Sequence, residues 1–223
     1  MTIRSGILVL AAVTILAQPA ATQNYFPLET DLTWTYTDGG TGELVSTSLG
    51  PADLGGLTVF ELRHVETGSN AQEYHNYWTR DDGGDTWLHG AWNADGFAAI
   101  YDPPILYIDT PLALGNTWTT EFGWNGSLYE VTYQVLEEGE TTVPLGVLYA
   151  YGIGAVEPPA LREDRTHDVM GRRLDSGSRE ASRWYTEDIG EIRGSDGYEL
   201  VTYSGSTATE TASWSGIKAL FLP

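Results

Sequence analysis

Glycine, aspartate and asparagine interrupt this 223-residue chain at short intervals, and that punctuation leaves little length for helices. Asp38-Gly39-Gly40, Asp53 to Gly56, Asp82-Gly83-Gly84, Asn93 to Gly96, Asn125-Gly126 and Asp196-Gly197 are residues that tolerate positive φ in tight turns. The segments between them are short and rich in Val, Thr, Tyr and Trp. Leu32 to Thr37, Leu57 to Val65, Glu73 to Arg80, Leu128 to Leu136 and Glu199 to Tyr203 tend to alternate apolar with polar residues. They read as strands, so the expected class is an all-β fold of antiparallel meanders.

Two stretches carry the same opening phrase. Pro27-Leu28 with Thr33-Trp34-Thr35 recurs as Pro111-Leu112 with Thr117-Trp118-Thr119, 84 positions later, and the register continues at Gly42 against Gly126 and Leu44 against Leu128. Those seven identities exceed the roughly one or two expected by chance at average residue usage. Further on, Gly56-Leu57-Thr58-Val59 matches Gly146-Val147-Leu148-Tyr149 at an offset of 90, and Trp78 to Gly84 matches Trp184 to Gly190 at an offset of 106. The growing offset places an insertion at residues 157–180, which carries five arginines among acids. Each copy reads as a meander of about four strands, with repeat one at about 25–100 and repeat two at about 108–203. One meander buries only one face, so the two are expected to form a single sandwich or barrel-like domain over 22–223. The alternative is two small domains joined near Asp102-Pro103-Pro104. The Asn116 to Leu136 segment, turning at Asn125-Gly126, is the strongest hairpin signal in the chain.

Ahead of this lies a segment that is not part of the fold argument. Arg4, the apolar run Ile7 to Ala17 and the small residues Pro19-Ala20-Ala21 follow the order of a secretory signal peptide, with cleavage expected near Ala21. The apolar run is too short for a permanent span, which takes about 20 residues. Export without a transmembrane anchor, to the periplasm or the exterior, is the expected localisation. Cysteine is absent, so no disulfide, thiolate metal site or lipidated cysteine is available. Eleven basic against 31 acidic residues give a net charge of −20, and loss of Arg4 alone would make it −21. Such a field repels nucleic acid and anionic membranes.

Nothing in the chain spells out a reaction centre. The histidines His64, His75, His89 and His167 match no zinc spacing, no Gly-x-Ser-x-Gly elbow occurs, and Asp81, Asp82 and Asp85 fail the EF-hand pattern. No catalytic residue, metal or cofactor is expected, and the chain leans away from enzyme chemistry. Asp82-Gly83-Gly84-Asp85-Thr86-Trp87 resembles the Asp-box of sialidases and related propellers, a structural hairpin turn, with Arg80 where that pattern has Ser or Thr. Of eight tryptophans, Trp34, Trp118, Trp78 and Trp184 recur in both copies at strand positions and are expected in the core. Trp87 and Trp92 lie near turns and are the candidate ligand-binding residues. The tail Ala212 to Pro223 spaces Trp214, Ile217, Leu220 and Phe221 at roughly helical intervals and is expected to pack back on the barrel.

Tyr25-Phe26-Pro27-Leu28 followed by Leu32-Thr33-Trp34-Thr35-Tyr36, with Val143-Pro144-Leu145-Gly146 and Trp184-Tyr185 to Gly190, resembles a group of uncharacterised bacterial exported proteins. Those open with Tyr-x-Pro-Leu and a Gly-Asn-x-Trp-x-Tyr strand; here Gly-Asn occurs only at Gly115-Asn116. The resemblance implies an envelope or secreted β-protein and carries no catalytic residues. Expectation therefore centres on a non-catalytic exported protein with a binding or structural role. The alternatives are a periplasmic carrier of a lipid or other hydrophobic ligand, and a carbohydrate-binding or carbohydrate-active protein.

Overall fold

The computed structural model describes residues 23–68, 71–94, 96, 98–156 and 181–204. The leader, the 157–180 insertion and the C-terminal tail lie outside the described residues. Within them the chain forms twelve strands and no helix. The first six are β1 (Thr33–Thr37), β2 (Glu43–Leu54), β3 (Leu57–Glu66), β4 (Gln72–Arg80), β5 (Thr86–Asn93) and β6 (Ala98–Ile108). The second six are β7 (Thr117–Trp124), β8 (Ser127–Val143), β9 (Gly146–Val156), β10 (Arg183–Thr186), β11 (Gly190–Arg193) and β12 (Glu199–Ser204). All neighbours pair antiparallel in one sheet of order β6-β5-β4-β3-β2-β1-β12-β11-β10-β9-β8-β7. Among the described residues each half is a meander of six strands, where about four were expected from the sequence. The shortfall arose partly at β6, whose Pro103-Pro104 reads as a linker yet sits inside a strand.

Proline is tolerated there because β6 is an edge, where no ladder needs its missing N–H. β1 pairs with β12, which joins the two halves, and the sheet curls until β6 and β7 face each other. No strand ladder closes that seam. It is held by side chains: Thr120 Oγ1 accepts from the Leu106 N–H at 2.9 Å, and the Trp118 indole N–H donates to Leu106 O at 3.2 Å. The approach is close enough that a Cβ on Gly123 would lie 1.9 Å from Asp102 O, so only glycine fits. The architecture is a nearly closed antiparallel barrel.

The recurring Thr-Trp-Thr phrases fall on the first strand of each half, β1 and β7, but the register after them slips. Trp34 pairs with Ser46, whereas Trp118 pairs with Tyr133, so the strands after the first turn correspond at an offset of 87 rather than 84. Leu44 is accordingly buried and Leu128, its match by identity, is 63% exposed. Side chains alternate faces with a period of two, so an odd slip sends an identical residue to the opposite face. The match Val59 to Tyr149 fails for the same reason, Val59 being buried and Tyr149 exposed. Counting from the turns, Leu57 and Gly146 each open the third strand, an offset of 89.

Two apolar clusters fill the fold. The larger joins Leu62, Trp78, Leu88, Tyr107, Trp118 and Ile153 with the N-terminal segment Tyr25, Phe26 and Leu28. The second gathers Trp34, Tyr36, Leu44, Ile192 and Leu200 with Val143 and Ala150. The β8–β9 turn reaches across to β12, where the Leu145 N–H donates to Leu200 O at 3.0 Å. Residues before β1 run across the barrel end that carries the β4–β5 and β10–β11 turns. Arg80 donates to Phe26 O at 3.0 Å and to the Asn24 side chain, and the Asp188 N–H donates to Asn24 O at 2.7 Å. Gly84 and Gly190 approach this segment so closely that a Cβ would meet Gln23 O at 2.5 Å and Pro27 Cδ at 3.3 Å.

Turn chemistry follows the sequence at Asn125-Gly126, where both residues take positive φ, 50° and 78°, as a two-residue hairpin turn requires. In the Asp-box-like turn the anchoring aspartate is Asp81, not Asp82. Its Oδ1 accepts from the N–H groups of Gly83 and Asp85 at 2.8 and 3.0 Å. Asp85 in turn accepts from both the N–H and the hydroxyl of Thr110, at 2.8 and 2.7 Å, tying this turn to the β6–β7 connection.

A candidate ligand cavity inside the barrel

On alternating strands the inward positions should be apolar, and in three adjacent strands they are not. Leu44-x-Ser46-x-Ser48 on β2, Leu62-x-His64-x-Glu66 on β3 and Tyr74-x-Asn76-x-Trp78 on β4 place polar side chains among the core residues. Ser46 and His64 are directly paired across the β2–β3 ladder, and Asn76 is diagonal to His64 on β4. Ser46 Oγ lies 2.8 Å from His64 Nδ1 and Asn76 Nδ2 3.2 Å from His64 Nε2. Tyr74 stacks on the imidazole, with ring centroids 4.5 Å apart and an 11° interplanar angle. Pairing offsets the cost of burying these three side chains, since an unpaired buried polar group costs about 1–3 kcal/mol.

These residues line a cavity of about 60 Å³ at the junction of the two clusters. Its apolar walls include Phe26, Trp34, Tyr36, Trp78 and Tyr107. From β10 and β11 come Arg183 and Glu191. The guanidinium lies 5.2 Å from the Tyr107 ring centroid, and its Nη1 is 3.9 Å from Glu191 Oε2. Tyr185 donates its hydroxyl to the same oxygen at 3.1 Å. Burial works to lower the Arg183 pKa, but the charge of Glu191 and neighbouring groups outweighs it and the net direction is upward. Arg183 is thus retained as a cation inside the fold. Tyr198 lines the cavity as well and donates to Glu66 Oε1 at 3.0 Å; burial first, and then that bond, push its phenol up to about 12.

Trp87 and Trp92 line none of this. Trp87 alternates with the buried Thr86 and Leu88 on β5, which turns it to the outer face, half-buried. Trp92 is 40% exposed and meets His75 edge-on at 5.1 Å. His75 sits between Glu61 (2.7 Å) and Glu73 (3.3 Å), and Arg63 holds Glu73 with two bonds of 2.8 and 3.1 Å. The hydrogen bond from Arg63, then that from His75, keeps the Glu73 carboxyl down at about 2. Beside Trp87, His89 bonds Thr79 at 2.8 Å and burial lowers its pKa. Among the tryptophans expected in the core, Trp34, Trp78 and Trp118 are at most 6% exposed. Trp184 is half-buried, with the Arg193 guanidinium 6.0 Å over its ring.

Ser46, Asn76, Arg183 and Glu191 belong to no sequence motif, and His64 stood out only as a histidine without zinc spacing. The available signal was polarity at inward strand positions. Compared with models of known protein families, with curated proteins and with solved structures, the chain gives no match.

Proposed function

We propose that this chain is an exported, non-catalytic barrel protein that binds a small ligand in its interior. The cavity between the two clusters carries this reading, because it joins apolar walls to a few convergent polar groups, the usual make-up of a ligand site. The signal-like leader and the resemblance of the Tyr25 to Tyr36 opening to exported β-proteins support the location. At about 60 Å³ the space suits a small solute rather than an acyl chain, since drug-sized ligands occupy roughly 300–1,000 Å³. That weighs against the lipid-carrier alternative. NMR of the methyl-labelled protein under xenon pressure tests the reading. Saturable shifts at Leu44 and Leu62, which line the cavity, are expected; shifts confined to surface methyls would sink it.

A second reading rests on the outer face, where exposed Trp92 adjoins the His75–Glu61–Glu73–Arg63 cluster and offers a ring for sugar stacking beside hydrogen-bonding groups. On a glycan array, Trp92→Ala should then erase any binding that the parent protein shows.

A further inference from the structure

The hydrogen-bond directions around the cavity, together with its charge balance, specify more than enclosure. With the Asn76 amide oriented so that Nδ2 faces His64 Nε2, the amide donates, Nε2 accepts and the imidazole proton is assigned to Nδ1. Nδ1–H then donates to Ser46 Oγ, and the serine hydroxyl proton is left to point elsewhere. With this polarity His64 is not a base toward Ser46, and the Ser46 hydroxyl is the donor that the set leaves for a ligand. Trp78 supplies another. Its indole Nε1–H is buried with no acceptor among the described residues, although Trp78 lines the cavity and a buried donor without a partner is rare. Arg183 adds a guanidinium, a group that only donates.

Charge narrows the occupant. Arg183 and Glu191 offset one another, Tyr198 ties Glu66 close by, and the whole chain is at −20, so an incoming anion would be buried beside carboxylates with no uncompensated cation among the described lining residues to receive it. The walls contributed by Trp34, Trp78 and Tyr107 are flat aromatic rings. Resting on the interior-binding reading above, we infer that the cavity takes a small, planar, uncharged molecule bearing a carbonyl-type acceptor, of the amide or lactam class, with Trp78 Nε1–H and the Ser46 hydroxyl as its hydrogen-bond donors.

Acetamide and acetate are nearly the same shape and differ in charge, which makes them the deciding probes. Protein labelled with ¹⁵N at the tryptophan indoles is titrated with each at neutral pH and constant ionic strength. The Trp78 indole resonance should move downfield and saturate with acetamide, which should bind at least about tenfold more tightly than acetate. Ser46→Ala should weaken acetamide binding, as read at the Trp78 indole. Trp78→Phe should do so as read at the Leu44 and Leu62 methyls, and the two substitutions are independent should one impair folding. Acetate binding as tightly as acetamide overturns the inference in favour of an anion site. Labelling of Ser46 by a fluorophosphonate also overturns it, by showing His64 acting as a base. Xenon entry without any response to acetamide removes the carbonyl chemistry and leaves the binding cavity standing. Silence to both xenon and acetamide removes the two together.

Discussion

The half from β1 to β6 and the half from β7 to β12 have the same strand count and the same meander order, yet they present different interiors. The first half supplies the Ser46–His64–Asn76 polar run. The second lays down aromatic contacts in its place: Trp118 against Tyr133 at 5.6 Å, and Phe122 stacked on Tyr129 at 5.4 Å. The position facing Trp34 across its hairpin is Ser46, and the position facing Trp118 is Tyr133. A three-residue difference in how the first hairpin turns is therefore enough to exchange a polar interior for an aromatic one. The strand path tolerates the change, while the chemistry of the inner face does not survive it.

The strongest way to break the comparison is at the paired tryptophans. Trp34 and Trp118 are both buried, and each donates its indole N–H to a backbone carbonyl, Ile189 O at 2.6 Å and Leu106 O at 3.2 Å. Either change to alanine should cost about 3–5 kcal/mol in urea unfolding. A much smaller loss for one of them would show that the halves do not carry equal weight. Next is Gly123→Val, for which no space exists against Asp102 O; about 3 kcal/mol or more should be lost, as for overpacking of a tight core. The loss should appear as faster amide exchange in β6 and β7 before any other strand. Smaller again is Ser46→Ala, which leaves the His64 Nδ1–H without its acceptor and should cost about 1–3 kcal/mol, while Thr119→Ala, at an exposed Thr–Thr bond of the second half, should cost little.

The smallest effects lie on the outer faces. Glu73 is lowered by a cation and Glu138 by the neutral Tyr149 hydroxyl, then by the Leu114 N–H. Carboxyl NMR titration should therefore find Glu73 near 2 at low salt and shifting upward in high salt, with Glu138 responding less. Because the folded value is below the unfolded one, the Glu73 contribution to stability is present above the ordinary carboxylate range. It fades as pH falls from that range through about 2. Arg63→Gln should return the carboxyl toward its usual value.

Legibility in the sequence followed the physics of each feature. Strands announced themselves by alternation, and Asn125-Gly126 by the positive φ that its turn demands. β6 was hidden because Pro103-Pro104 contradicts a strand unless the strand is an edge, and edges are a property of the assembled sheet. The recurring phrase located β1 and β7, but identity carries no information on which face a residue takes once the intervening turn changes by an odd number. Leu44 and Leu128 show this directly. Trp87 and Trp92 drew notice as aromatics near turns, whereas the cavity is built from Ser46, His64 and Asn76, whose types are ordinary and whose inward parity is the unusual property. Arg183 and Glu191 become neighbours of that set only through curling of the sheet.

The unladdered seam gives the barrel the mechanics of a tube slit along its length. A closed tube resists twisting because shear passes around its whole circumference; a slit tube loses that path and becomes soft in torsion while remaining stiff against bending. Opposed sliding of β6 and β7 is thus the softest deformation open to this fold, restrained by the Leu106–Thr120 and Leu106–Trp118 bonds, with the 109–116 connection as its tether. Trp118 and Tyr107 lie on the two sides of that slit, and Tyr107 is also a wall of the cavity, so sliding along the slit would carry one wall of the interior with it.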